Sequence, residues 1–464
     1  MAMSVPSTEP HQSSIMRPTF SKTYNRRVFL GSSSAAAFGF LLLPSRVFGA
    51  NDRLRIAGIG VGGKGSGDID QAGRLGDVVA LCDCDEKPLN EKAAKFPSAR
   101  KFFDFREMLD QMEGKIDAVT VSTPDNTHAV AAAAAIKRKM HVYVQKPLAH
   151  DVAECRWLLD LSRKHKVVTQ MGNQGTASDE LRRGVEVIRA GALGKVYEVH
   201  VWTNRPVWPQ SPGITARPAP APVPANLHWD LFLGPAPARP YTGAYHPFNW
   251  RGWLDFGTGA IGDMGCHTVN LPFMALNLKY PTVISARNET PNSETYPAWA
   301  TVEYLFPGQG DQPTVRLIWY EGHFPNGAKN LPPLDLFLGQ KPSDSGSLII
   351  GDKGTIYSPH DYGGKWMLLP EKQYEGFQDP PRTLARNGKE DQGQKNEWVE
   401  AIKGGPKPFS NFEYASLLAE TVLLGNVAVR SGKVLEWDGP NLRVTNDKGA
   451  NEFLRRHYRR GWVV

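Results

Sequence analysis

The sequence predicts an α/β fold: a doubly wound parallel sheet of the Rossmann type, then an α+β domain with a large, mostly antiparallel sheet. Three observations predict it. Short apolar runs alternate with helix-forming stretches between residues 53 and 171, a glycine-dense loop follows the first run, and beyond Lys195 strand-like runs succeed one another. Alternation of the first kind makes βαβ units and a parallel sheet, whereas consecutive strands pair antiparallel.

In order, Arg53 to Ile59 is a short apolar strand that runs into Gly60-Val61-Gly62-Gly63-Lys64-Gly65. Val78 to Cys82 is the second strand, ending at Asp83, and Ala118 to Ser122 is the third. Thr123-Pro124 stops that third strand, because proline has no N–H to give a ladder. Ala129 to Ile136 is rich in alanine, the best helix former, and His141 to Val144 is a strand followed by Gln145-Lys146-Pro147. A helix from Asp151 to His165 and a strand from Val167 to Met171 complete the series. Ligands of such sheets sit beyond the carboxyl ends of the strands, and each motif just named falls at one of those ends.

The second half is expected to carry strands at Val196–Thr203, Val283–Asn288, Thr301–Phe306, Thr314–Tyr320, Leu348–Ile350 and Thr355–Tyr357. Helices are expected at Asn396–Lys403 and Tyr414–Arg430. Between the halves, residues 206–240 hold ten prolines, a density that rules out regular ladders and favours extended chain. This arm is a lining for a substrate, a strap around a second subunit, or a surface loop. Trp202, Trp208, Trp229, Trp250 and Trp253 crowd the same region; aromatic faces suit sugar rings as well as cores and interfaces.

Residues 1–50 read as a leader. Asn25-Arg26-Arg27-Val28-Phe29-Leu30 is a twin-arginine motif, and Val28 to Leu43 is a mildly apolar stretch ending near Val47-Phe48-Gly49-Ala50. That stretch is shorter than the roughly 20 residues a membrane span needs, so a cleaved signal peptide is expected rather than an anchor. The expectation is export to the periplasm by the twin-arginine machinery, which carries folded proteins. The leader holds five basic residues and one acid, so of the chain's formal +7 only +3 belongs to the remainder. Nucleic-acid binding therefore gets no support. Four cysteines without a CxxC pair or a His/Cys spacing argue against a zinc site and against a disulfide scaffold, and no metal is expected.

The glycine loop has two registers, Gly58/Gly60/Gly63 and Gly60/Gly62/Gly65, and the second lets Ile56 and Ile59 complete the strand. Glycine there allows a tight turn and close approach of a pyrophosphate to a helix start. Asp83 stands eighteen residues beyond Gly65, close to the spacing of a ribose-binding carboxylate. A carboxylate repels a 2′-phosphate, so NAD is expected over NADP. The remaining possibility is that Asp83 only caps a loop.

At Gln145-Lys146-Pro147 and Gly262-Asp263-Met264-Gly265-Cys266-His267 the chain resembles the Gfo/Idh/MocA oxidoreductase family. The resemblance extends to the glycine loop, to Thr123-Pro124 with His128, to Met171-Gly172-Asn173-Gln174 and to Leu435-Glu436-Trp437-Asp438. It implies three segments: a leader 1–50, an NAD-binding Rossmann domain 51–172, and a substrate and oligomerisation domain 173–464. In that family a Glu-Lys-Pro lysine faces the nicotinamide and an Asp-x-x-x-His helix completes the catalytic group. Those roles would fall on Lys146, Asp263 and His267; Gly60, Gly62, Gly65, Asp83, Thr123, Pro124, His128, Gln145 and Lys146 would hold the cofactor. Asn173, Arg205, Trp250 and Arg251 are the candidate substrate contacts.

The residue chemistry agrees with the resemblance. Asp263 and His267 are four apart and share a helix face. Histidine takes a hydroxyl proton near neutral pH, a neighbouring carboxylate orients it, and a lysine stabilises developing negative charge. Two positions depart from the family pattern. Gln145 replaces the usual glutamate, and a neutral amide cannot pair with the lysine charge as a carboxylate does; Asp125 stands where asparagine often follows Thr-Pro.

The leading expectation is an NAD-dependent oxidoreductase of a sugar or polyol hydroxyl with tightly held cofactor, similar to glucose–fructose oxidoreductase. A second is a glycoside-cleaving enzyme working by transient oxidation and elimination, similar to the NAD-dependent α-N-acetylgalactosaminidases. A third is a nucleotide-binding scaffold without turnover. A homo-oligomer, dimer or tetramer, is expected because an open sheet face needs covering.

Overall fold

The computed structural model describes residues 53–462 apart from 291 and 389; the twin-arginine leader lies outside the described residues. The first sheet has six parallel strands in the order β3-β2-β1-β4-β5-β6. They are β1 (Leu54–Ile59), β2 (Gly76–Cys82), β3 (Arg100–Phe102), β4 (Ala118–Val121), β5 (His141–Gln145) and β6 (Thr169–Gly172). The connecting helices are α1 (Gly63–Gly73), α2 (Glu86–Lys95), α3 (Phe105–Gln111), α4 (Asp125–Lys137) and α5 (Val152–His165). Because the chain leaves β1 toward β2 and later returns to β4 on its other side, the helices diverge there and open a crevice. Paired registers Ile59↔Cys82, Ile59↔Val121 and Gln145↔Gly172 bring the strand ends level at that crevice.

The central strands are apolar along their length and covered on both faces. Ile59, Cys82, Val121 and Val144 pack with the alanines of α4 in one cluster, while Leu54, Ile56, Leu81 and Tyr143 face α1 in another. The alanine run of α4 is wholly buried; small side chains let that helix lie close to the sheet and to α5. Helix α5 is stopped from fraying by a capping box between Asp151 and Glu154.

Helix α6 (Asp179–Arg189) leads into the second sheet, nine strands in the order β13-β12-β11-β7-β10-β9-β8-β14-β15. These are β7 (Val196–Thr203), β8 (Val283–Asn288), β9 (Trp299–Phe306), β10 (Val315–Gly322), β11 (Gly346–Gly351), β12 (Thr355–Ser358), β13 (Met367–Leu369), β14 (Leu435–Asp438) and β15 (Arg443–Val444). Every pair is antiparallel except β7 with β10, which is parallel. One face carries α8 (Gly259–Thr268), α9 (Asn270–Ala275) and the buried helix α11 (Phe412–Ser431). Helix α11 also packs on α5, so it lies between the two sheets. Part of the other face, around Trp202, Ile318 and Tyr357, is covered by Leu331, Leu336 and Phe337 of the same chain.

Two segments of the second half return to the first sheet. The proline-rich arm forms no strand between 206 and 228; it ends in the short helix α7 (Trp229–Leu233). There the Asn226 amide donates to the Asp85 carboxylate and the Glu86 N–H to Asn226 O at 2.9 Å, while His228 stacks on Phe103. The arm is thus an intramolecular clamp on the end of β2. Helix α10 (Glu390–Ile402), longer than the expected Asn396–Lys403, packs against α1 and β6.

His141, at the start of β5, accepts the Val168 N–H on Nδ1 at 2.9 Å, which only an unprotonated nitrogen does. Burial pushes its pKa down from 6.5 to about 4, against the pull of Asp117. The fold therefore binds this proton less tightly than the unfolded chain does. The stabilisation is complete above about pH 6.5 and is lost as pH falls to about 4. His141→Asn keeps an acceptor without the titration, so chemical unfolding measured between those pH values should show a shallower acid slope than the wild type.

Candidate active site

A cleft of about 570 Å³ runs along the switch between β1 and β4. Gly60, Gly62, Asp83, Thr123, Pro124, His128, Gln145 and Lys146 line it from the first sheet, and Trp250, Arg251 and Asp263 from the second domain. The clamp adds Phe232, the segment that follows it adds His246 and Phe248, and Trp462 closes one side.

The loop fits a dinucleotide by its backbone. Gly60 sits at φ +77°, and a Cβ there would lie 2.7 Å from the Ser122 carbonyl. A Cβ on Gly65 would lie 2.0 Å from the Gly60 oxygen, so side chains at either position would push the helix off the strand. Around Gly63, at the start of α1, nothing lies within 4 Å of an added Cβ. The start of the eleven-residue helix is thus bare toward the cleft, as phosphate binding at a helix terminus requires. Asp83 Oδ2 accepts the Val61 and Gly62 N–H groups at 2.8 and 3.1 Å, and its Oδ1 accepts that of Asp85 at 3.0 Å. It shapes the loop and lines the cleft at once; burial pushes its pKa up against these donors.

The strand ends are braced to one another. The His128 ring spans the Thr123 and Pro147 carbonyl oxygens at 2.9 and 2.8 Å, tying the end of β4 to the end of β5. Asp125, buried, accepts from Thr258 Oγ1 at 2.6 Å, which links α4 to the start of α8. Burial pushes the pKa of Asp125 up, against the pull of His128 and Thr258.

Lys146 and Asp263 meet directly. Lys146 Nζ donates to Asp263 Oδ1 at 3.0 Å and to its carbonyl oxygen at 2.7 Å. Arg251 Nε donates to the same Oδ1 at 3.3 Å, and Arg205 Nε lies 3.9 Å from Oδ2. Burial works to raise the Asp263 pKa, but Lys146 and Arg251 outweigh it and hold the carboxylate below its usual range. One turn on, His267 is 3% exposed and neither ring nitrogen has a hydrogen-bond partner among the described residues. Burial and the nearby lysine charge push its pKa well down, so the imidazole is neutral. The Tyr362 ring packs edge-on against it at 4.4 Å.

Gln145 does not pair with the lysine. Its Nε2 donates to Asp68 Oδ2 at 2.8 Å, and Lys395 Nζ from α10 donates to Asp68 Oδ1 at 2.8 Å; Asp68 and Lys395 are both fully buried. Lys395 also stands 3.5 Å over the Tyr143 ring. Burial raises the pKa of Asp68, but Lys395 and Lys64 overcome it and keep the group anionic. The acid that the family places in the strand is here on α1, with an amide facing it.

Four expected site residues lie outside the lining of the cleft. Gly65 serves packing, Arg205 Nε lies 3.9 Å from Asp263 Oδ2, and His267 shares the Asp263 face of α8 one turn further on. Asn173 does not reach the cleft: it is fully buried, its amide donating to Cys266 O at 3.4 Å and its oxygen accepting from Ser410. Its place is in the packing of β6 against α8. Tyr362, Asp68 and Lys395 belong to the site and were not found from the sequence. Only the four-residue spacing of Lys64 and Asp68 carried a trace of them.

Fold and cleft together define a two-domain protein whose first half has the architecture and glycine loop of a dinucleotide-binding domain. The chain belongs to the Gfo/Idh/MocA family: residues 53–173 match its NAD-binding Rossmann fold and residues 183–310 its C-terminal alpha/beta domain. Over 158 residues it is 25% identical to the myo-inositol 2-dehydrogenase of Thermotoga maritima, covering 34% of this chain and 47% of that protein. Over 154 residues it is 31% identical to a glycosyl hydrolase family 109 protein of Akkermansia muciniphila, covering 31% of this chain and 32% of that one. The chain thus spans about a third to a half of the length of these relatives. The fold is shared with the WlbA dehydrogenase of Bordetella pertussis, solved in complex with NADH and UDP-GlcNAcA (TM-score 0.59, 17% identity, 83% of this chain, 99% of that one). It is shared also with the aldose-aldose oxidoreductase of Caulobacter crescentus (TM-score 0.55, 16% identity, 83% of this chain, all of that one).

Replacing Gln145 by the family glutamate should destabilise this protein. The new carboxylate would face Asp68 where the amide now donates at 2.8 Å. A buried donor lost and a like charge gained cost about 2–3 kcal/mol together. Gln145→Glu should therefore lower the free energy of chemical unfolding by that amount, with Gln145→Met losing less.

Proposed function

We propose that the protein is an NAD-dependent oxidoreductase acting on a secondary hydroxyl of a sugar or polyol, with a tightly held cofactor. The observation that carries this reading is the contact of Lys146 with Asp263 beside the unpartnered His267 ring, at the mouth of a dinucleotide cleft. NAD, when bound, supplies the hydride acceptor. Lys146 donates a hydrogen bond to the substrate oxygen and steadies its negative charge. His267, neutral and without a partner, takes the hydroxyl proton, and Asp263 stabilises the imidazolium that results. Arg251 and Lys146 keep Asp263 ionised for that task. Trp250 supplies an apolar wall for a sugar ring.

Asp83 and Asp85 at the ribose end support NAD over NADP, since both would oppose a 2′-phosphate. The clamp through Asn226 and His246 on Asp85 supports slow release of the nucleotide. Retention suits a protein exported by the twin-arginine route with its cofactor aboard, and Asn25 to Leu30 supports that export. Exposed Leu334 and Leu338, on the cover of the second sheet, support self-association into a dimer or tetramer. Native mass spectrometry of the exported protein reports leader removal, bound nucleotide and subunit number together. Finding no nucleotide, and no binding of added NAD, would end the reading. His267→Ala should retain the nucleotide while steady-state turnover falls by on the order of 10²–10⁴-fold.

Identity of 30–31% to several glycosyl hydrolase family 109 proteins favours a second reading, glycoside cleavage by transient oxidation and elimination. The same lysine and histidine would then serve a sugar hydroxyl whose oxidation acidifies the adjacent C–H. Loss of that proton would expel the aglycone, and water would add across the resulting double bond. NAD, when bound, would supply the oxidation and the final reduction, with no net redox change. Incubation with aryl glycosides separates the two. Release of the aglycone without added NAD identifies cleavage; no release across a broad panel, together with net NADH formation on free sugars, identifies the dehydrogenase. A scaffold without turnover predicts neither.

A further inference from the structure

Three cations converge on the single carboxylate of Asp263: Lys146, Arg251 and Arg205. Their side chains are 16, 22 and 27% exposed, so the cluster is open on one side. Asp361, beside Tyr362, makes no ion pair with any of the three among the described residues; Asp125 accepts from Thr258 and acts on Lys146 and Arg251 without pairing directly with either. With Asp263 and Asp125 both set against the three cations, the cluster carries one positive charge beyond what its own acids neutralise.

Those cations are aimed. The Arg251 guanidinium lies 4.4 Å from the Phe248 ring centre and 4.4 Å from that of Trp250, which holds its plane. Its Nε is used by Asp263 and its Nη1 by the Phe248 carbonyl at 3.0 Å, leaving Nη2 without a partner among the described residues. Arg205 spends Nη1 on Asn204 and likewise leaves Nη2 without one. A neutral sugar can accept from the two free Nη2 groups through its hydroxyls but leaves their charge unbalanced beside Lys146. A carboxylate can offer one oxygen to the free Nη2 of each arginine, making two charge-assisted hydrogen bonds in all.

We propose that the substrate is a sugar acid whose carboxylate is held by Arg251 and Arg205 while the reacting hydroxyl faces Lys146 and His267. This rests on the oxidoreductase reading given above and names the substrate class of the same site. It adds no chemical step; the carboxylate orients the ring and stays unchanged.

The test is calorimetric titration of the nucleotide-loaded protein with matched pairs: glucose against glucuronate, galactose against galacturonate, glucitol against gluconate. In at least one pair the acid should bind on the order of tenfold or more tighter than its neutral partner, the scale of a charge-assisted pair. That preference should shrink in 0.5 M salt, and it should collapse toward one in both Arg251→Gln and Arg205→Gln. Equal affinity within every pair, or no binding by any acid, overturns the proposal on wild-type protein alone, whatever the variants do. Tighter binding of glucose 6-phosphate than of glucuronate overturns the carboxylate assignment. Nucleotide content is read by absorbance and mass in the same samples. A protein holding NAD but indifferent to acids fails only here, whereas a protein that binds no NAD fails the parent reading.

Discussion

The contact between Lys146 and Asp263 joins the two halves of the molecule over the cleft. The lysine follows β5 of the parallel sheet; the acid sits in α8, which packs on the second sheet. Neither partner is satisfied alone: a partly buried ammonium and a buried carboxylate each carry a desolvation cost that the other offsets. The pair therefore fixes the approach of α8 to the strand ends, and with it the position of His267 one turn further on. Thr258 on Asp125 and the clamp on Asp85 set the same approach at two more points.

Behind this contact the chain has rearranged the family pattern without losing its balance of charge. Gln145, Asp68 and Lys395 form a closed group in which each buried polar atom faces a partner. The acid has moved from strand to helix, and a lysine from α10 has come in to meet it. Segments more than three hundred residues apart are bound by that one pair. Such a group specifies how α10 seats against α1, which a wholly apolar surface would leave less defined.

Much of the nucleotide half was legible because its signals are local. Glycine at 60, 62 and 65, the acid after β2, proline after β4 and the lysine after β5 each follow a strand directly. Strand ends are where a parallel sheet gathers its ligands. The Asp263–His267 spacing was legible for the same reason, since helix geometry alone places them on one face. Asn173 misled because a polar residue at a strand end reads as a contact, yet packing of Ser410 and Cys266 around it removed it from the cleft. Tyr362 left no signal, as nothing near it in sequence predicts an edge-on contact with His267. The proline-rich arm was read as extended, but its destination on Asp85 was set by contacts across the molecule.

The sequence by itself determined the two sheets, the switch point and those facing groups that directly follow a strand end. Backbone preference and hydrophobic period act over a few residues and survive in any context that buries them. Tertiary structure alone decided which of those groups touch, which are spent on one another and which stay free. Three cations came to share one acid, and one histidine was left without a partner. Those outcomes arise from close packing between distant segments, where desolvation makes charge balance depend on neighbours that no local pattern records.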